Sequence, residues 1–107
     1  MAPERHLIGV DVGTGSARAG VFDAAGHLRA AASRPIAIWH DEGGIVEQSS
    51  ADIWAAVCAA VREAVARAGI GGDSVAGIGF DATCSMVVLG RAASRCRWGR
   101  RAIRSAT

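Results

Sequence analysis

The sequence predicts a small α/β domain with its elements in the order β-β-β-α-β-β. Two short apolar runs rich in β-branched residues, Leu7-Ile8-Gly9-Val10-Asp11-Val12 and Val75-Ala76-Gly77-Ile78-Gly79-Phe80-Asp81, read as buried strands. Between them Ile53, Val57, Val61 and Val65 recur every four residues, with Ala60, Ala64 and Ala68 beside them, the spacing of one helix face. The chain has 107 residues and is 50% hydrophobic, which allows one small core and no more.

The elements come in order. The first strand stops at Gly13, and Gly13-Thr14-Gly15-Ser16 is a turn. A second strand runs from Ala17 to Asp23, where Asp23-Ala24-Ala25-Gly26 has the residues of a tight antiparallel connection. A third strand extends from about His27 to Ile38, and His40-Asp41-Glu42-Gly43-Gly44 is a loop. Ser49 is placed to cap the helix, with Asp52 three positions on as the capping-box partner, and Gly69 ends it. The small residues on its apolar face predict close packing on a sheet. After the strand ending at Asp81, Ser85-Met86-Val87-Val88-Leu89 is a further strand returning to the same sheet.

Charge divides the chain in two. All 12 basic residues are Arg. Residues 1–89 hold six of them with all ten acids, a formal −4, whereas residues 90–107 hold six Arg and no acid, a formal +6. Cys58, Cys84 and Cys96 are odd in number and lack CxxC spacing, which argues against a disulfide framework or a zinc site and for a reducing compartment. Neither a signal peptide nor a membrane span is visible, so a cytoplasmic location is expected and no membrane partner.

The segment Asp11-Val12-Gly13-Thr14-Gly15-Ser16-Ala17-Arg18 places a carboxylate at a strand end, two glycines, two hydroxyls and an Arg within eight residues. Gly13 and Gly15 let main-chain N–H groups approach a phosphate, and Thr14 and Ser16 add hydroxyl donors. Asp11 is a hard oxygen ligand suited to Mg²⁺, and Arg18 can neutralise a transferring phosphoryl group. A Walker loop is excluded because Gly-Lys-Ser/Thr is missing. A dinucleotide fingerprint is excluded because Arg18 stands at the third glycine position and a strand comes next instead of a helix. On the pattern alone, a plain hairpin turn with a surface Arg remains an equal alternative. Asp81 is either a cleft residue or a strand-end residue bonded to its own turn. That both buried strands end in Asp followed by a small polar loop favours one shared cleft.

These residues resemble the first phosphate-binding hairpin of the FGGY family of carbohydrate kinases, of the actin and hexokinase ATPase superfamily. The agreement covers residues 7–89 and includes Val46-Glu47-Gln48, Ile53-Trp54 and Ile78-Gly79-Phe80-Asp81-Ala82-Thr83-Cys84-Ser85-Met86-Val87-Val88. The resemblance implies the N-terminal part of a ribonuclease H-like domain, truncated, belonging to an enzyme that transfers the ATP γ-phosphoryl to a sugar hydroxyl with Mg²⁺. It makes Asp11 the metal-linked carboxylate, Gly13, Thr14, Gly15 and Ser16 the phosphate contacts, and Arg18 the Arg near the transferred phosphate. Asp81, Ala82, Thr83, Cys84 and Ser85 would line part of the substrate pocket, and this stretch is similar to that of the ribulose and ribitol kinases. Kinases with a second Thr at position 15 gain a hydroxyl that Gly15 lacks. Glycerol kinases carry an Arg-Glu pair where this chain has Cys84 and Ser85, so a pentulose or pentitol is the expected substrate. The family's catalytic base and adenosine-binding domain would fall beyond residue 107, so the 107-residue chain is expected to be inactive alone.

The remaining residues have plainer expected roles. Trp54 and Cys58 are expected to pack in or beside the core, and Cys84 to be a packed thiol. Trp39 and His40 are expected at the surface, and Glu47 and Gln48 to orient the chain before the helix. For the tail, residues 90–107, two readings stand: a nucleic-acid arm using clustered Arg and Trp98, or an out-of-frame or disordered extension with no nucleic-acid partner. The second is favoured. A non-catalytic remnant is the third reading of the whole chain.

Overall fold

The computed structural model describes residues 4–40, 46–82, 85–86 and 104–105. Its main sheet is built from β1 (His6–Val12), β2 (Ser16–Asp23), β3 (Leu28–Pro35) and a later strand. The short pair β4 (Trp39–His40) and β5 (Val46–Glu47) precedes α1 (Ser50–Ala68), and a 3₁₀ turn (Gly72–Ser74) then leads into β6 (Val75–Ala82). The four strands lie in the order β3-β2-β1-β6. β1 is central: it pairs antiparallel with β2 and parallel with β6, and the parallel partner requires the crossover that α1 supplies.

Period-two alternation divides the sheet into two faces. Ile8 and Val10 of β1, Ala17, Ala19 and Val21 of β2, and Ala32 of β3 are buried on the face that meets α1. The helix answers with Ala56, Val57, Ala60 and Ala64, all buried, flanked by the half-buried Ile53, Val61 and Val65. Alanine on both sides brings the helix close to the sheet, as its small apolar face predicts. Glu63 straps the two layers together through ion pairs with Arg34 of β3 (2.7 Å) and Arg67 of its own helix (2.5 Å), and Arg67 also donates to the Ala31 carbonyl (2.9 Å). At the other end of the sheet the buried His6 meets the Ser74 hydroxyl through Nδ1 (3.1 Å), joining the start of β1 to the entry of β6.

The turns obey their residues. Asp23 Oδ1 accepts from the main-chain N–H of Ala25 (3.0 Å) and His27 (2.9 Å), while Gly26 takes φ 87°, a left-handed conformation open to glycine. Ser49 caps α1, its hydroxyl accepting from the Asp52 N–H (3.4 Å), and Gly69 closes it at φ 68°.

Several sequence expectations change. Asp52 does not complete a capping box: its carboxylate accepts from the Ala37 N–H (2.8 Å), fastening the helix start to the segment after β3. The third strand ends at Pro35, short of Ile38. β6 is not buried. Ile78 is 49% and Phe80 60% exposed, because α1 lies over β2 and β3, touches β1 at its margin, and stops short of β6. Trp54 is 64% exposed, since one residue beyond Ile53 turns it about 100° away from the buried stripe. β7 (Ser85–Met86) does not return to the main sheet; it pairs with β8 (Arg104–Ser105) in a separate ribbon. Residues 87–89, the rest of that expected strand, and the remainder of the Arg-rich tail lie outside the described residues. Among the described residues no helix is long and apolar enough to cross a membrane.

Candidate functional site

The face of the sheet turned away from α1 carries three of the candidate residues, Asp11, Arg18 and Asp81. Register sets its layout: Asp11 stands opposite Arg18 on β2 and opposite Asp81 on β6, so Arg18, Asp11 and Asp81 form one row across three strands. Because β1 and β6 are parallel, both carboxylates sit at the same, C-terminal, end of the sheet. Arg18 Nη2 donates to Asp11 Oδ2 at 2.6 Å, an exposed, charge-assisted contact. Asp81 has no ion-pair partner among the described residues. Two neighbouring carboxylates with one cation beside them form a site that favours added positive charge.

Below this row lies a second one with almost no side chains. Ala31, Gly20, Gly9 and Gly79 are successive partners across β3, β2, β1 and β6. The Phe22 ring reaches toward this row: a Cβ at Gly20 would stand 3.1 Å from Phe22 Cε2 and from Leu28 Cδ1. The result is a trough of about 580 Å³ with a glycine floor, Phe22 and Leu28 at one wall, and the Arg18-Asp11-Asp81 row at the other. An apolar floor bounded by a few convergent charges is the usual composition of a small-molecule site.

The turn between β1 and β2 stands beside the charged row. Its carbonyls face the protein: Thr14 O accepts from Gln48 Nε2 (2.5 Å), Gly15 O from the Ile36 N–H (3.0 Å), and Ser16 O from the Gly13 N–H (2.9 Å). The N–H groups of Thr14 and Gly15 have no protein acceptor among the described residues, and both residues are exposed. Donors turned outward and carbonyls held inward make an anion-binding concavity. Neither Gly13 nor Gly15 has a positive φ. Gly13 is instead favoured by proximity, since a Cβ there would stand a tight 3.2 Å from the Ser16 carbonyl oxygen, whereas a Cβ at Gly15 would meet nothing within 4 Å.

The structure therefore brings together Asp11, Gly13, Thr14, Gly15, Ser16, Arg18 and Asp81, with Ala82 at the exposed end of β6. Thr83 and Cys84 lie outside the described residues, and Ser85 opens β7. Among the described residues no group of three or more His, Cys, Asp or Glu is gathered as for a metal held by protein ligands alone. Mg²⁺ commonly keeps several waters and takes one or two carboxylates, so Asp11 suits it, with Asp81 adding negative charge alongside. Sequence reasoning missed the grip of Gln48 on the turn. The signal was a polar residue just before the helix cap, but its reach back across 34 residues is a product of tertiary packing.

Comparison with known proteins gives this geometry its relatives. Residues 6–92 match the model of the FGGY family of carbohydrate kinases, N-terminal domain. The chain is 52% identical over 87 residues to a human FGGY carbohydrate kinase domain-containing protein, covering 81% of this chain and 15% of that one. It is 50% identical over 85 residues to a Saccharomyces cerevisiae protein named D-ribulokinase, covering 79% of this chain and 12% of that one. Among solved structures, xylulose kinase from Rhodospirillum rubrum superposes with a TM-score of 0.77 at 27% identity, over 87% of this chain and 19% of that one. The chain thus spans less than a fifth of the relatives it matches. A glycine-lined trough ending in two carboxylates, beside an outward-facing amide turn, is set on the actin and hexokinase ATPase fold, and the chain belongs to the FGGY family of carbohydrate kinases.

Proposed function

We propose that the chain supplies the first phosphate-binding turn and part of the sugar pocket of an ATP-dependent kinase acting on a pentulose or pentitol of the ribulose or ribitol type. The observation that carries this reading is the juxtaposition of the Thr14–Gly15 amides with the Arg18-Asp11-Asp81 row at one end of the sheet. The amides of Thr14 and Gly15, with the hydroxyls of Thr14 and Ser16, receive phosphate oxygens. Asp11 would hold Mg²⁺, directly or through water, and the ion would supply positive charge against the phosphates. Arg18 is released from Asp11 to meet the transferred group. Asp81 and Ala82, at the end of β6, border the sugar site, and the family resemblance assigns Thr83, Cys84 and Ser85 to the same pocket. The pentulose class is supported by the 50% identity to the protein named D-ribulokinase.

Phosphoryl transfer needs a positioned base, a metal-held γ-phosphate and an aligned hydroxyl at once. On this reading the 107-residue chain carries groups for the second of these alone and binds nucleotide without turning it over. Titration calorimetry with ADP and Mg²⁺ tests the site, with Asp11→Asn expected to weaken binding and a coupled assay with ATP and ribulose or ribitol expected to show no product. An ATP-dependent rate that Asp11→Asn abolishes would overturn the inactivity, and equal nucleotide affinity in Asp11→Asn would overturn the assignment of Asp11.

A further inference from the structure

We infer that Gln48 is a positioning residue for the phosphate turn, holding the Thr14–Gly15 peptide in the orientation that presents the Gly15 N–H to a polyphosphate. The inference rests on the phosphate reading above and extends it to a residue outside the turn.

The Thr14 carbonyl and the Gly15 N–H belong to one peptide plane. In a trans peptide these two groups point in opposite directions, so fixing one fixes the other. Gln48 Nε2 donates to Thr14 O, and the Gly15 N–H therefore points away from Gln48, where no protein group among the described residues accepts it. The next peptide is held differently, by the main-chain bond from Ile36 N–H to Gly15 O. Among the described residues only a side chain secures the first.

That peptide needs securing because a glycine stands at its C-terminal side. The central peptide of a four-residue turn can rotate as a unit, and glycine at the third position accepts both resulting conformations. Gly15 has no Cβ, and the space where one would stand is empty, so sterics do not select between them. Rotated, the peptide would aim the Thr14 carbonyl at a phosphate oxygen, setting one negative dipole end against an anion. Folding alone does not demand the observed state, since Thr14 and Gly15 are exposed and water can serve either orientation. Gln48, by contrast, is only 8% exposed, and its amide gains its bond to Thr14 O in one orientation only. A buried donor thus selects the conformation of an exposed loop.

The test uses the full 107-residue chain, labelled with ¹⁵N and ¹³C, and pyrophosphate with Mg²⁺ as the probe. In the wild type the Gly15 amide resonance is expected to move on titration, and a through-hydrogen-bond coupling is expected between Gln48 Nε2 and the Thr14 carbonyl carbon. Gln48→Met keeps length and apolar fit but removes the donor; it is expected to leave the α1 and β1 resonances in place and to weaken pyrophosphate binding roughly tenfold. Gln48→His, which keeps a donor, is expected to recover much of that loss. Binding by Gln48→Met as tight as that of the wild type would overturn the proposal and leave the phosphate reading standing. Absence of the coupling in the wild type would do the same without any variant, including the case in which Gln48→Met fails to fold. No shift at Gly15 in the wild type overturns the phosphate reading, and the proposal falls with it.

Discussion

Asp23 shows how one side chain can hold a turn together and make it sensitive to acid. Its carboxylate is nearly buried and receives two main-chain N–H groups, with the His27 ring (3.3 Å) and the Arg29 guanidinium (3.5 Å) close to Oδ2. The bond from the His27 N–H, above all, holds its pKa below the ordinary carboxylate range, assisted by the charge of the His27 ring and by the Ala25 N–H, against the opposing effect of burial. A carboxyl depressed in the folded state adds stability that is complete above its unfolded pKa of about 3.9 and is lost as pH falls through the lower folded value. Urea midpoints measured from about pH 5 downward should therefore fall more steeply for the wild type than for Asp23→Asn. An equal slope in both proteins would remove Asp23 from the account. Asp23 was legible as a turn residue because Asp-x-x-Gly is a local signal. Gln48 was not legible in its actual role, because nothing near it in the chain specifies that its partner is Thr14.

Among the elements, α1 was the most legible and β6 the least. The four-residue repeat from Ile53 to Val65 located the helix face, and Ser49 and Gly69 marked its ends. What the repeat did not show is that the deepest positions are alanines, Ala60 and Ala64, fully enclosed against β2 and β3. Enlarging one should cost more than removing the cap. Ala64→Leu is expected to destabilise the chain by about 1–3 kcal/mol through overpacking. Ser49→Ala is expected to cost about 0.5–1 kcal/mol, because its capping contact is long at 3.4 Å. Chemical denaturation of both variants checks the order, and a larger loss from Ser49→Ala would place the helix's stability in its terminus instead of its face. The error over β6 has a physical cause. A run of Val, Ile and Phe reads as buried on composition, but burial depends on whether a layer arrives to cover it, and α1 is already committed to β2 and β3.

For the whole molecule, the uncovered side of β6 is the main exposed liability. Ile78 and Phe80 lie on the helix side of the sheet without a helix above them, next to a strand edge that pairs with nothing among the described residues. Exposed apolar groups on a free strand edge favour association between copies. The 107-residue chain is expected to self-associate with increasing concentration, and the double variant Ile78→Thr, Phe80→Ser to shift it toward monomer in sedimentation velocity. An unchanged distribution would place the association elsewhere. The overall plan, three antiparallel strands, a crossing helix and a parallel return, was legible because each step has a local signature; the final strand was not, since Ser85–Met86 pairs with Arg104–Ser105 in place of the main sheet. The position of the core along the chain also bears on synthesis. Every fully buried apolar residue of the described core lies between Ile8 and Ala64, and β6 adds the half-buried Val75 at its margin. A nascent chain that has cleared the ribosome as far as Gly69 already holds the fully buried apolar residues of the described core. The parallel strand can then zip onto β1 through main-chain bonds, on a template finished before it is synthesised.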